Sequence, residues 1–164
     1  MTRISLRPLA EDHVGDLRRI HHHPEVVRWW DEPAVDFPWD EPEVTRLTIV
    51  VDSLIAGMVQ YWEEEEPKYR HAGIDLFVDP DLHGQGIGTE AVRRVARHLF
   101  EDRGHHRLEI DPAATNVAAI RAYEKVGFKP VGITRRSERD PDGRGWHDSL
   151  LMDLLATEFN PGDG

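Results

Sequence analysis

The chain has 164 residues, 39% of them hydrophobic, and a formal net charge of −11. This length suits a single domain with a core and a cleft. The lack of cysteine excludes a disulfide framework, a thiolate zinc site and a cysteine nucleophile. No apolar run reaches the roughly 18 residues that span a bilayer, and the first residues lack a signal-peptide hydrophobic region. We therefore expect a cytoplasmic protein without membrane contact.

The negative charge is concentrated in one segment. Between Asp31 and Asp81 there are fourteen acids and three bases, whereas acids and bases balance in the rest of the chain. A nucleic-acid partner is excluded, because such a protein needs a basic surface to neutralise phosphates. The segment predicts attraction of a cationic small molecule, or an acidic surface that only aids solubility.

In chain order, the first half predicts a strand, helices and three more strands. Alternation predicts the first strand over 4–9, and helical spacing of apolar residues predicts a helix over 11–22 that stops before Pro24. A short helix and a loop with Trp29, Trp30 and Trp39 follow over 26–42. Apolar runs over 47–51 and 54–62 predict a hairpin, and 71–78 predicts another strand.

The second half predicts helices over 86–100 and 116–126 and strands over 107–110, 129–136 and 146–155. This order predicts an α/β fold, with helices packed around a mixed sheet. We assign residues 1–157 to one domain and expect 158–164 to form a flexible tail.

A glycine-rich turn between a predicted strand and helix is the strongest local motif. Glycines let backbone N–H groups converge on an anion, and the helix that follows adds its positive dipole end, so the turn is suited to a pyrophosphate. It matches neither a Rossmann loop nor a Walker loop. A turn that serves tight geometry alone is the alternative. Its residues are His83, Gly84, Gln85, Gly86, Ile87, Gly88 and Thr89.

A second motif runs from Asn116 through Ala119 and Tyr123 to Gly127-Phe128. With both motifs in this order, the chain resembles the GCN5-related N-acetyltransferase (GNAT) superfamily from Ile4 to Leu155. The resemblance implies a mostly antiparallel mixed sheet with helices on both faces, whose splayed central strands hold acyl-CoA. His83 departs from the family pattern, which has Gln or Arg there.

The resemblance also implies roles for individual residues. Acetyl-CoA as cosubstrate would pair with the backbone near Phe77 and Val78, and a fixed N–H there would stabilise an oxyanion. Asn116 would cap its helix and touch the cofactor, and Tyr123 would protonate the departing thiolate. The alternative for Tyr123 is an aromatic residue packed beside Phe128.

Four shorter stretches carry a further resemblance: Val27 to Trp30, Ala72 to Asp75, Asp111-Pro112 and Ala119 to Lys125. They are similar to stretches of aminoglycoside 6′-N-acetyltransferases, in which acidic residues hold the ammonium groups of the drug. Asp75 and Asp111 match such positions, and Asp75, which lies between apolar neighbours, is also a candidate base. The run Glu63, Glu64, Glu65 and Glu66 has a counterpart in that family, with a solvated loop as the alternative. Trp29 and Trp30 would form an aromatic wall or pack in the core.

The main hypothesis is acetylation of a 6′-amine on an aminoglycoside. The alternatives are acetylation of a protein N-terminus, a polyamine or a siderophore precursor, and a non-catalytic acyl-CoA-binding module. We expect no metal, because the consecutive histidines His21, His22 and His23 fan around a helix instead of sharing a face. We expect a monomer or a homodimer.

Overall fold

A computed structural model describes residues 3–162, so residues 1 and 2 of the predicted domain and residues 163 and 164 of the predicted tail lie outside it. The strands are β1 (Ile4–Pro8), β2 (Thr45–Val51), β3 (Leu54–Glu64), β4 (His71–Val78), β5 (Arg107–Ile110), β6 (Lys129–Arg139) and β7 (Trp146–Leu155). The α-helices are α1 (Val14–His21), α2 (Pro24–Trp30), α3 (Ile87–Arg97) and α4 (Val117–Val126). No helix in the described part of the chain is long and apolar enough to cross a membrane.

The strands form one sheet in the order β1-β2-β3-β4-β5-β7-β6. Strands β4 and β5 are parallel, and the other recorded neighbours are antiparallel. This mixed α/β architecture confirms the predicted fold class and the predicted order of elements.

Several elements differ from the sequence prediction in extent. Strand β2 begins two residues earlier, at Thr45, and the helix predicted over 86–100 is an α-helix to Arg97 and continues as a π-helix, His98–Asp102. The helix predicted over 11–22 begins as a 3-10 turn, Glu11–His13, which precedes α1, and neither Ala10 nor His13 provides a side-chain cap. Strand β3 continues to Glu64, where it pairs with His71. Strand β6 continues past Arg136 to Arg139 through an irregularity that adds residues between Thr134 and Glu138.

The sheet carries a core on each face. Adjacent residues of a strand point to opposite faces, so the paired residues Met58 and Phe77 lie on one face, and Val59 and Leu76 lie on the other. The first pair packs under α1 and α2 with Leu17, Ile20, Val26 and Phe37. The second face packs against α3 and α4, including Ile87, Val92, Val95, Tyr123 and Val126. The two cores hold both faces of β4 in place.

A buried arginine holds the loop between α2 and β2. The Arg46 guanidinium donates to the Pro38 carbonyl at 3.0 Å, to Asp40 at 2.6 Å and to Glu41 at 3.2 Å. Its Nε atom donates to Gln60 of β3 at 2.9 Å. A buried guanidinium requires such partners, so this base orders the acidic loop against the sheet.

Strands β4 and β5 part after a short contact. Their parallel register covers only Ala72 with Leu108 and Gly73 with Glu109. Strand β5 ends at Ile110, and Pro112 cannot donate a backbone hydrogen bond to a ladder. Asp75 and Asp111 each lie two residues beyond the last recorded pair. They therefore flank the mouth of the gap.

The Asn116 cap predicted from sequence is present, since its side chain accepts a hydrogen bond from the Ala119 amide at 3.3 Å. We expect Asn116→Ala to lower the free energy of unfolding by about 1 kcal/mol, because it leaves that amide without its cap. Urea unfolding measures the change. Asn116→Asp keeps the acceptor oxygen and should retain most of the stability, and equal losses in both variants would contradict the capping role.

Candidate active site

The backbone of β4 presents an open edge where β5 departs. The Asp79 amide donates to the Ala56 carbonyl at 2.7 Å, which fixes the alternation of hydrogen bonds between β3 and β4. Phe77 and Asp75 therefore direct their backbone groups toward β3, and Leu76 and Val78 direct theirs toward the gap. We call the backbone groups of Leu76 and Val78 the open edge of β4. It includes Val78 as predicted and adds Leu76, whereas Phe77 packs in the core under α1 and α2.

Side chains already contact this open edge. The Leu76 N–H donates to Asp75 Oδ1 at 2.9 Å, and the Leu76 carbonyl accepts from the Trp30 indole at 3.1 Å. The Val78 carbonyl lies 3.1 Å from His83 Nε2. His83, the residue that departs from the family pattern, thus connects the glycine-rich turn to β4.

The glycine-rich turn leads into an uncapped helix N-terminus. Gly84 and Gly86 have φ angles of +83° and +75°, which favour glycine, and Gly86 is the N-cap of α3 without a side-chain cap. The first intrahelical bond runs from the Glu90 amide to the Gly86 carbonyl. The preceding N–H groups of the helix have no recorded partner among residues 3–162 and are therefore suited to bind an anion. The Thr89 hydroxyl donates to the Ala122 carbonyl at 3.4 Å, which joins α3 to α4.

Helix α4 places Tyr123 beside the gap. The ring is buried and lies 6.5 Å from that of Phe128, so the predicted packing contact is present. Burial raises the pKa of the Tyr123 hydroxyl above its usual range, and the charges of Asp75 and Asp111 raise it further. Tyr123 therefore remains a protonated acid at neutral pH, close to both carboxylates.

Three carboxylates form what we call the acidic cleft: Asp75, Asp111 and Glu138. The Asp75 side chain retains contact with solvent, yet desolvation by the surrounding protein raises the pKa of its carboxyl to about 7. The Leu76 hydrogen bond acts in the opposite direction, and the charges of Asp111, Glu138 and Glu41 raise the pKa further. Burial is also the largest cause that raises the pKa values of Asp111 and Glu138. Such a cluster is suited to a cation that would neutralise it.

The sequence analysis did not identify Glu138 as a site residue. It lies beyond the predicted end of β6, after the irregularity that pairs it with His147. The Glu138 carboxylate lies 3.6 Å from the His147 ring, and the charges of Asp111 and Asp31 act to raise its pKa. Two further charges act on the acidic cleft. Asp31, at the end of α2, acts on Glu138, and Glu41 acts on Asp75. Nothing in the local sequence around Glu138 indicates that it lies close to the other carboxylates of the acidic cleft.

The remaining predicted acceptor residues lie in different surroundings. Glu63 is opposite Ala72, where β4 and β5 are still paired, and it bonds to His105 at 2.6 Å and to Arg103 at 3.1 Å. Glu64, Glu65 and Glu66 are exposed at the turn beyond it. Trp30 packs against Phe77 with ring centroids 5.2 Å apart, and Trp29 stacks on Arg28 at 4.6 Å. Of these residues, Trp30 makes the contact with the open edge.

The sequence matches the acetyltransferase (GNAT) family over residues 10–128. The chain belongs to this family. It is 40% identical to the aminoglycoside N(6')-acetyltransferase type 1 of Klebsiella pneumoniae, in an alignment that covers 85% of this chain and 79% of that protein. The GNAT enzyme is therefore an N-acetyltransferase, and the resemblance predicted from sequence is confirmed.

Solved structures confirm the GNAT fold. The aminoglycoside acetyltransferase AAC(6')-Ib in complex with coenzyme A and kanamycin has a TM-score of 0.77 at 24% identity, covering 95% of this chain and 96% of that chain. A ribosomal-protein-S5-alanine acetyltransferase from Vibrio fischeri has a TM-score of 0.81 at 16% identity, covering 96% of each chain. The same fold thus occurs in enzymes with different acceptors.

Acetyl-CoA, the cosubstrate of this family, fits the residues present. The free N–H groups at the start of α3 suit its pyrophosphate, and a Cβ added at Gly84 or Gly86 would meet no atom within 4 Å. The open edge of β4 offers backbone groups to an extended, amide-bearing arm. Tyr123, a buried residue whose hydroxyl is influenced by the charges of Asp75 and Asp111, adds a protonated hydroxyl.

The raised pKa of Asp75 predicts a pH-dependent stability. An aspartate that ionises near 3.9 when unfolded and near 7 when folded costs stability as the pH rises between these values. Asp75→Asn should therefore raise Tm at pH 8 and leave it nearly unchanged at pH 4. Thermal unfolding at both pH values measures this difference. An equal shift at both would contradict a cost that arises from ionisation.

Proposed function

We propose that this GNAT enzyme transfers an acetyl group from acetyl-CoA to the 6′-amine of an aminoglycoside. The observation that carries the proposal is the acidic cleft at the open edge of β4. Its carboxylates repel one another and the surrounding protein disfavours their ionised forms, so a polycation gains free energy by neutralising them. The cleft therefore selects an acceptor that has several ammonium groups around its reactive amine.

The name of the Klebsiella pneumoniae relative supports this acceptor. A kanamycin resistance protein of Rhizobium radiobacter is 38% identical over 93 residues, which are 56% of this chain and 81% of that protein. Charge alone also suits a linear polyamine, and a spermidine N(1)-acetyltransferase of Escherichia coli is 25% identical over 140 residues. A polyamine is therefore the second acceptor to test.

Asp75 is suited to act as the base. An amine must lose its proton to attack, and a carboxylate with a pKa of about 7 accepts that proton near neutral pH. Asp111 and Glu138 surround Asp75 with negative charge and would hold the other ammonium groups of the acceptor. The acceptor would then be oriented by its own charges.

Two donors complete the site. The Leu76 N–H faces the gap, where it is suited to stabilise negative charge on a carbonyl oxygen, because its direction is fixed by the sheet. Tyr123 is buried, protonated and close to the acidic cleft, so it is suited to give a proton to a thiolate. Bound acetyl-CoA supplies the acetyl group as an activated thioester.

Release of the CoA thiol with a panel of amines tests the acceptor. We expect turnover with drugs that bear a 6′-amine and little turnover with matched drugs that bear a 6′-hydroxyl. The amine is expected to accept the acetyl group effectively, and the hydroxyl is not. Spermidine and an alanine-terminated peptide serve as the comparison acceptors. Turnover with either of these, and none with the 6′-amines, would reject the aminoglycoside assignment.

Tyr123→Phe removes the proposed acid while it preserves the packing against Phe128. We expect kcat to fall by about 100-fold or more, with a smaller change in KM for acetyl-CoA. Steady-state kinetics at saturating acceptor measure the effect. An unchanged kcat would remove Tyr123 as the acid, and a parallel measurement of Tm shows whether the fold is retained.

The proposed role of Asp75 as base predicts how kcat/KM depends on pH. Since Asp75 is protonated below its pKa of about 7, kcat/KM for the acceptor should rise about tenfold per pH unit below that value and then level off. In Asp75→Asn this limb should disappear, and any remaining rise follows the ionisation of the amine itself. Persistence of the same limb in the variant would assign it to another group.

A further inference from the structure

The Leu76 amide faces the gap between β4 and β5, and it already has an acceptor. Asp75 Oδ1 accepts its hydrogen bond at 2.9 Å. This bond forms because β5 departs before Leu76 and leaves the Leu76 N–H without a strand partner. The neighbouring carboxylate folds over the open edge of β4 and satisfies it.

We propose that Asp75 blocks the oxyanion donor of the free enzyme and must release the Leu76 amide when an acyl carbonyl binds there. The proposal rests on the acetyl-transfer part of the proposed function. An amide N–H has one hydrogen and gives one strong hydrogen bond, so the carboxylate and an acyl oxygen compete for it. Asp75 therefore controls the access of the cofactor's acyl oxygen to the Leu76 amide, in addition to its proposed role as base.

Both peptides that meet at Leu76 are held in place. The peptide that carries its N–H is fixed by the pairing of Asp75 with Gln60 of β3, and the next peptide is fixed through the carbonyl of Leu76. This carbonyl accepts from the Trp30 indole at 3.1 Å, and the Trp30 ring packs against Phe77 and His21 at centroid distances of 5.2 and 5.9 Å. The backbone cannot rotate away from the gap without losing these contacts. Exchange of the acceptor therefore depends on rotation of the Asp75 side chain.

Release would also prepare Asp75 for its reaction. The Leu76 hydrogen bond favours the ionised carboxylate and acts to lower its pKa. Loss of this bond removes that stabilisation, so the carboxylate becomes a stronger base and is free to turn toward the acceptor. Binding of the acyl group and activation of the base are then coupled through one N–H group.

The proposal separates ligands that carry an acyl carbonyl from those that do not. Acetonyl-CoA, a ketone analogue that cannot transfer its acyl group, presents the competing oxygen, and free CoA lacks it. Asp75 should weaken the binding of acetonyl-CoA, because both compete for the Leu76 N–H. Free CoA has no acyl oxygen, so this competition should not affect its binding. The ratio of the two Kd values, CoA over acetonyl-CoA, cancels the general repulsion between Asp75 and an anionic ligand.

Titration calorimetry at pH 8 should measure this ratio for the parent enzyme, Asp75→Ala and Asp75→Asn. In Asp75→Ala the amide is free, and we expect the ratio to rise about tenfold, the effect of one hydrogen bond. In Asp75→Asn the amide oxygen still occupies the Leu76 N–H, so the ratio should rise less than about threefold. Asp111→Ala, the matched control, removes a nearby charge without touching Leu76 and should leave the ratio unchanged.

Two results would overturn the proposal. An unchanged ratio in Asp75→Ala would mean that the acyl oxygen does not compete for this amide. Equal rises in Asp75→Ala and Asp75→Asn would mean that charge, and not occupancy of the N–H, controls binding. The calorimetry uses no amine, so its result does not depend on the acceptor. The proposal about Asp75 can therefore hold even if the turnover panel rejects the aminoglycoside assignment.

Discussion

The parting of β4 from β5 is the constraint on which the site depends. Two residue pairs hold these parallel strands together, and in the described part of the chain no further pairing of β4 on that side is recorded beyond Gly73. An unpaired edge inside a domain requires other hydrogen bonds. Asp75, Trp30 and His83 supply them here, and each belongs to a different part of the site: the acidic cleft, the α2 side and the glycine-rich turn.

The acidic cleft shows how the fold concentrates the charge of the chain. Asp75 comes from β4, Asp111 from the end of β5 and Glu138 from β6, so three strands bring like charges together at one mouth. Their raised pKa values mean that the folded state holds unfavourable electrostatic free energy. Function at the expense of stability is a common feature of active sites, and a cationic acceptor would relieve the repulsion.

Acidic residues that look alike in sequence differ in their surroundings. Glu63 is paired with His105 and Arg103, and Asp40 is paired with the buried Arg46, so both have partners within the protein. Asp75 has an amide donor and forms no ion pair with the residues that the structure describes. A carboxylate without a paired base is the one that a ligand cation can reach. The acidity of a sequence segment therefore predicts the class of acceptor better than it predicts which carboxylates contact it.

The sequence alone determined the order of elements, the bounds of β4, β5 and β7, the cap at Asn116 and the family. These features depend on local periodicity, on turn-forming residues and on spacing within a few residues. The tertiary structure decided that the open edge belongs to Leu76 and Val78, that Glu138 joins the cleft and that Asp75 holds the Leu76 amide. Those results depend on which strands pair and where pairing stops, and hydrogen bonds between distant segments leave no periodic trace along the chain.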